Sequence, residues 1–295
     1  MPMKTMTTAR ALALTAAAFS AAPCALAQSE AADSARSLER PVMSAFTAEA
    51  GHASQLDTYV SPVTYRGTAI RLGYERMQAM RFSPLKWVMQ VEAGVEYDLT
   101  HNPAGNHTSH ALAADAKWAM LRRIGRTPLP GLQFQAGFST QLRGGVIYNP
   151  INANNVVAAK IHWSVGATAL AAYTVNRGGR VPVTLRYQAT MPVAGVFFSP
   201  EYDESYYEIY VGNRKGLANF GWWGNRFDLT NLLTADLHLG GTVLRVGYRG
   251  RIETSWIKHI NTHIFTHSVV LGIGGEWLSL SRGKASRQRV ASAIY

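Results

Sequence analysis

Residues Trp87 to Leu99 read W-V-M-Q-V-E-A-G-V-E-Y-D-L, and this run constrains the fold more than any other. Trp87, Met89, Val91, Ala93, Val95, Tyr97 and Leu99 are apolar, whereas Gln90, Glu92, Gly94, Glu96 and Asp98 fall between them. A strand sends alternate side chains to opposite faces, so one face is greasy and the other carries carboxylates. Trp87 and Tyr97 stand ten residues apart on the apolar face. At ~3.3 Å per residue and a tilt near ~40°, that spacing rises roughly 25 Å, the height of an outer-membrane apolar band. The run predicts a membrane-crossing strand.

Similar alternation recurs over 43–53, 67–77, 109–121, 131–143, 161–174, 181–192, 227–239, 242–254 and 264–278. Trp163 and Tyr173 repeat the ten-residue aromatic spacing. The expected fold is therefore all-β: an antiparallel up-and-down transmembrane β-barrel of about ten strands, an even number. A second hairpin from 193–199 and 206–212 would raise the count to about twelve. The short connections 78–86, 122–130, 175–180 and Gly240-Gly241 fall on one side, and the long ones, 144–160 and 193–226, on the other. That asymmetry predicts a periplasmic N-terminus and an external loop or infolded plug at 193–226.

Lys4 and Arg10, the small apolar run Ala11–Ala22 and Ala25-Leu26-Ala27 read as a signal peptide over 1–27, cleaved before Gln28. A periplasmic segment at 28–41, the barrel at 42–279 and a basic tail at 280–295 complete the organisation. Cys24, the only cysteine, would leave with the signal, taking thiolate chemistry with it. Charged residues are only 16% against 47% hydrophobic ones, a balance that a lipid-facing surface explains. The net charge is +11, with Arg282, Lys284, Arg287 and Arg289 crowded into the tail. In an exported chain this points to anionic lipid or lipopolysaccharide phosphates, and to no nucleic acid. A barrel bound for the cell outer membrane is also expected to meet the barrel-assembly machinery.

Gln55-Leu56-Asp57-Thr58-Tyr59-Val60-Ser61-Pro62, Pro182–Gln188, Ser199-Pro200-Glu201-Tyr202 with Ser205–Glu208, and Leu233-Thr234-Ala235-Asp236 carry a further signal. Together with Thr262-His263 and Ser268, they resemble motifs of a family of uncharacterised envelope proteins from Bacteroidetes. The resemblance implies a Gram-negative envelope barrel and hands over no activity, cofactor or substrate.

Three sets of residues are candidates for chemistry. Glu75, Glu92, Glu96, Asp115, Lys117, Arg143, Arg186, Arg245, Arg249, Arg251, Glu253 and Glu276 are expected in the lumen. There they would form either a charge network that fills a narrow barrel or a pore lined by an arginine ladder. His107 and Ser109 have the spacing of a base–nucleophile pair, with Asp98 as a conceivable orienter, as in lipid acyl hydrolases. Tyr202, Tyr206, Tyr207, Trp222 and Trp223 form either a binding surface or the core of the long loop. His263 and His267 would lie roughly 13 Å apart along a strand, so no metal site is expected. The reading is a non-enzymatic structural or binding envelope component. A narrow channel and a lipid acyl hydrolase are the alternatives.

Overall fold

The computed structural model describes residues 39–294 except 126, 128, 152–154, 176–180, 203, 213–215 and 278–290. The expected signal peptide at 1–27 with Cys24, and the tail charges Arg282, Lys284, Arg287 and Arg289, lie outside the described residues. Among those described, the chain runs β1 (Val42–Asp57), β2 (Ser61–Ala79), β3 (Trp87–His101), β4 (Thr108–Ile124), β5 (Leu132–Tyr148), β6 (Val157–Val175) and β7 (Val183–Phe198). A short helix α1 (Tyr206–Tyr210) and strand β8 (Ala218–Trp222) precede β9 (Arg226–Leu239), β10 (Thr242–Ile257) and β11 (Ile260–Trp277).

Successive strands pair antiparallel, and β1 closes the ring on β11 from Val42↔Trp277 to Asp57↔Thr262. Closure leaves no edge, which a strand needs if it is to sit in hydrocarbon. β9 joins the ring through β7 (Val183↔Leu237 to Thr190↔Thr230), while β8 pairs only with the upper part of β7. The barrel thus has ten wall strands, and β8 is a branch. Phe46, Leu72, Val95, Leu142, Trp163, Leu233 and Leu271 face outward and are exposed. A belt of such side chains around the whole ring is unfavourable in water and favourable in lipid. The fold is an up-and-down transmembrane β-barrel.

Every wall strand matches an alternating run, but most are longer, as β2 shows by starting at Ser61 and β7 by ending at Phe198. Alternation requires two different solvents. Beyond the apolar band both faces meet polar surroundings, so the ladder continues while the pattern fades.

The supposed 193–199/206–212 hairpin is corrected. Residues 193–198 continue β7, and 206–210 form α1, whose N-cap Ser205 and N3 residue Glu208 complete a capping box. The true partner of upper β7 is β8. The two ends of the barrel are also less unlike than the connections suggested. Tight turns at 58–60 and at Lys258-His259 share an end with the long connection. Lys258 and His259 both take positive φ, 51° and 62°, in a two-residue turn where glycine is usual. Lys258 holds this turn to the long loop through the carbonyls of Ser199 and Gly216 and the carboxylate of Glu201.

At this loop end the barrel is capped. The Tyr59 hydroxyl donates to the Glu204 carbonyl at 2.7 Å, and the Ala159 N–H donates to the Tyr206 hydroxyl at 2.6 Å. Tyr206 meets Tyr59 edge-on and stacks on Phe198. Burial, then the neighbouring Tyr206 and the carboxylates of Glu204 and Asp57, push the Tyr59 phenol above its usual 10.0. A phenol raised in the folded state adds stability that is complete below pH 10 and drains away as pH rises through the folded value. Tyr59→Phe is expected to loosen the 199–217 loop by ~1 kcal/mol, speeding its proteolytic clipping at pH 8. Raising wild type to pH 11 should have the same effect, and equal clipping rates throughout would dismiss the latch.

The opposite end, where β1 begins, is plugged by the chain itself. Ala293 and Ile294 lie buried among Met43, Met77, Val88, Ala119, Leu121, Leu170 and Ala172. Gln135 donates to the Ala293 carbonyl at 2.9 Å, Arg123 to that of Ser292, and the Ser292 hydroxyl to Glu276 at 2.5 Å. The Ala291 N–H donates to the Glu39 carbonyl at 2.8 Å. The inward apolar side chains at this end are the socket for that segment.

Candidate functional site

The inward positions of the strands bring charges together in three levels. Nearest the plug, Glu75 on β2 accepts two bonds from Arg186 on β7, at 3.0 and 2.7 Å, across the width of the ring. The same carboxylate takes Arg245 at 2.6 Å, and Arg245 also grips Asp236 with two bonds of 2.8 Å. Gln90 bridges Glu75 to Gln188 at 2.7 and 2.8 Å. In the middle level Lys117 and Gln188 both donate to Glu92, at 2.6 and 2.8 Å. The Arg249 Nε–H is shared between the two carboxylate oxygens of Glu49, at 2.9 and 3.1 Å, and Arg71 binds Asp115. Gly94 makes room there, since a Cβ at that position would run into the Arg71 guanidinium. In the upper level Arg143 reaches Glu96, Asp115 and Glu253, each at 3.1 Å. Arg251 joins it on Glu96 and Glu253.

Nearly all these groups are buried. Seven cations (Arg71, Lys117, Arg143, Arg186, Arg245, Arg249 and Arg251) meet seven carboxylates (Glu49, Glu75, Glu92, Glu96, Asp115, Asp236 and Glu253). Such pairs are not a large net source of stability, because desolvation offsets much of the attraction. Their consequence is specificity: removing one partner strands the other in a site that water reaches poorly.

Above the upper level lies a small chamber lined by Gln55, Asp98, Arg143, Lys160, His162, Phe197, Arg226 and Ile264 among others. Lys160 pairs with Asp57, and Arg226 binds Asp228 at 2.8 Å and His162 at 3.0 Å. Gln55 donates to Asp98 at 2.6 Å.

Eleven of the twelve residues expected in the lumen meet in this network. Glu276 stands at the plugged end instead, bonded to Ser292. Glu49, Arg71, Asp228 and Asp236 stand on polar faces that were legible, and only their pairing was not. Asp57 and Lys160 lie near strand ends, where alternation gives no signal. Ser109 is buried and its hydroxyl donates to the Tyr148 carbonyl at 3.3 Å. His107 belongs to the 102–107 turn, where its backbone bonds with Asn102, and Asp98 is engaged by Gln55. Among the described residues no hydrogen bond joins these three. The five loop aromatics separate. Tyr206 turns inward to latch the cap, Tyr202 and Tyr207 are exposed at the loop end, and Trp222 and Trp223 are exposed beside the upper wall. Trp223 donates its indole N–H to the Pro192 carbonyl at 2.9 Å. Among the described residues no cluster of His, Cys, Asp and Glu is set to hold a metal ion.

Solved structures similar to this barrel include the outer membrane protease OmpT from Escherichia coli, at 6% identity and TM-score 0.47, with 81% of this chain and 97% of that one covered. The translocator domain of the autotransporter NalP from Neisseria meningitidis is 11% identical at TM-score 0.40, covering 90% of this chain and 98% of that one. An outer membrane channel from Pseudomonas putida F1 is 10% identical at TM-score 0.34, covering 80% and 95%. At such identities none of them lends its activity to this chain. No curated protein matches the sequence. The match that identifies a family runs over residues 12–284, nearly the whole chain: the protein belongs to the family described as Protein of unknown function (DUF3316).

Proposed function

We propose that this protein is exported to the outer membrane of a Gram-negative cell and serves there as a closed, non-enzymatic barrel, a structural or binding component of the envelope. The observation that carries the reading is the cross-lumen ion-paired network, plugged at one end by Ala291–Ile294 and capped at the other by the 199–217 loop. A pore needs groups that bind an ion weakly enough to release it. Here the groups are bound to one another.

In this reading the plugged end faces the periplasm and the capped end faces outward. The exposed Tyr202, Tyr207 and Tyr210 of the cap would then be the external binding surface. Arg76 and Arg122, exposed on the outer wall near the plugged end, would meet headgroup phosphates, with Trp87 packed 6.0 Å from the Arg122 guanidinium. Insertion would depend on the barrel-assembly machinery.

Membrane fractionation with boiled and unboiled gels tests the reading. The protein should pellet with the outer membrane and migrate faster unboiled, because the folded barrel resists detergent. A soluble periplasmic protein without heat-dependent migration would overturn it.

A further inference from the structure

We propose that the chamber beneath the cap binds a small organic cation bearing a primary ammonium group, held by Asp98 and Gln55. The argument begins with charge matching. Among the described residues, each other buried strand carboxylate (Glu49, Asp57, Glu75, Glu92, Glu96, Asp228, Asp236 and Glu253) has a guanidinium or ammonium within 4.0 Å. Asp98 is 3% exposed and has none. Its Oδ2 takes the Gln55 amide, and its Oδ1 has no partner. The Gln55 carbonyl oxygen is buried and unpartnered as well, and both residues line the chamber.

Two neighbouring acceptors, one charged and neither supplied with a donor, are costly in a buried site unless a donor arrives. The cations in the same walls are committed elsewhere: Lys160 to Asp57, Arg143 to Glu96, Asp115 and Glu253, and Arg226 to Asp228. An ammonium carries donors only and adds the missing positive charge. Phe197, Ile147 and Ile264, in the same lining, offer apolar surface to a short alkyl chain. A quaternary ammonium brings the charge but has no N–H, so it leaves both acceptors without a donor.

The inference rests on the closed barrel proposed above, and the two fail separately. Amine binding by a conducting protein would remove the closed lumen and keep the site. A silent barrel that ignores amines would do the reverse.

The test is calorimetric titration of the purified full chain in detergent with ethylammonium, and with tetramethylammonium as the control. Ethylammonium should bind saturably and tetramethylammonium should not. Asp98→Asn, which keeps the shape, should weaken ethylammonium at least tenfold while retaining heat-dependent migration. Should Asp98→Asn misfold, Ile264→Phe fills the chamber with the carboxylate intact and should reduce binding by as much. Repeating the titration in nanodiscs of phosphatidylethanolamine and of phosphatidylcholine distinguishes the source. Competition by the first alone assigns the ammonium to a lipid headgroup, and equal binding in both assigns it to a free amine. Absence of saturable binding to wild type, or undiminished binding to Asp98→Asn, overturns the proposal.

Discussion

Glu75→Gln is expected to be the most damaging single substitution in the barrel wall. Glu75 is 5% exposed and is the shared acceptor of Arg186 and Arg245, one from the opposite side of the ring. Glutamine keeps the volume and removes the charge. Two guanidiniums are then left with the Asp236 carboxylate, which binds Arg245 tightly but lies 3.8 Å from Arg186. Breaking one partner out of a buried ion network costs about 3–5 kcal/mol, because the surviving charge cannot regain its water. The folded band on unboiled gels should disappear at markedly lower temperature or urea than for wild type. The paired variant Glu75→Leu with Arg186→Met should recover part of that loss, since it removes a charge of each sign. If Glu75→Gln unfolds with wild type, the network is not what fills the lumen.

Loss of the plug is the second large effect. Truncation after residue 290 removes Ile294, 1% exposed, and leaves Met77, Leu121 and Leu170 lining an open socket. Emptying a buried isoleucine site costs about 2–5 kcal/mol. Because Gln135 and Arg123 face the opened end, water can satisfy them, and the figure should fall in the lower half of that range. A cysteine placed at Met77 reports the change directly, as the only natural cysteine is Cys24. Met77→Cys should resist a water-soluble thiol reagent in the full chain and react readily after truncation. Equal reactivity in both would mean that Ala291–Ile294 does not occupy the socket.

The wall of the barrel was legible because lipid outside and charge inside impose a two-residue period. Parity put Glu92 and Glu96 of β3 on one face, and the aromatic ends of the opposite, apolar face sent that polar face to the lumen. Their partners could not be assigned in this way, because Lys117, Arg143 and Arg251 come from strands whose positions around the ring are set by closure and register. The plug was hidden for the opposite reason. Val88, Leu121 and Leu170 are apolar on the face that should be polar, so each reads as a blemish in its strand. Only the ring shows that these blemishes share one end. The cap was half legible. Residues 206–212 read as half of a hairpin although Ser205 and Glu208 have the spacing of a capping box. The aromatic cluster concealed which ring would turn inward, which only Tyr206 does. Asp98 looked like a helper for His107 and Ser109. Its bond to Gln55 places it instead in the wall of the upper chamber.

Planar-bilayer conductance of the purified full chain is the most direct measurement of whether the lumen is closed. The ion-paired levels, the plug and the cap predict no steady current at any voltage, and single-channel steps should arise only when the network is broken, as in Arg143→Ala combined with truncation after residue 290. Reproducible steps from the wild-type protein would contradict the account and make the barrel a channel.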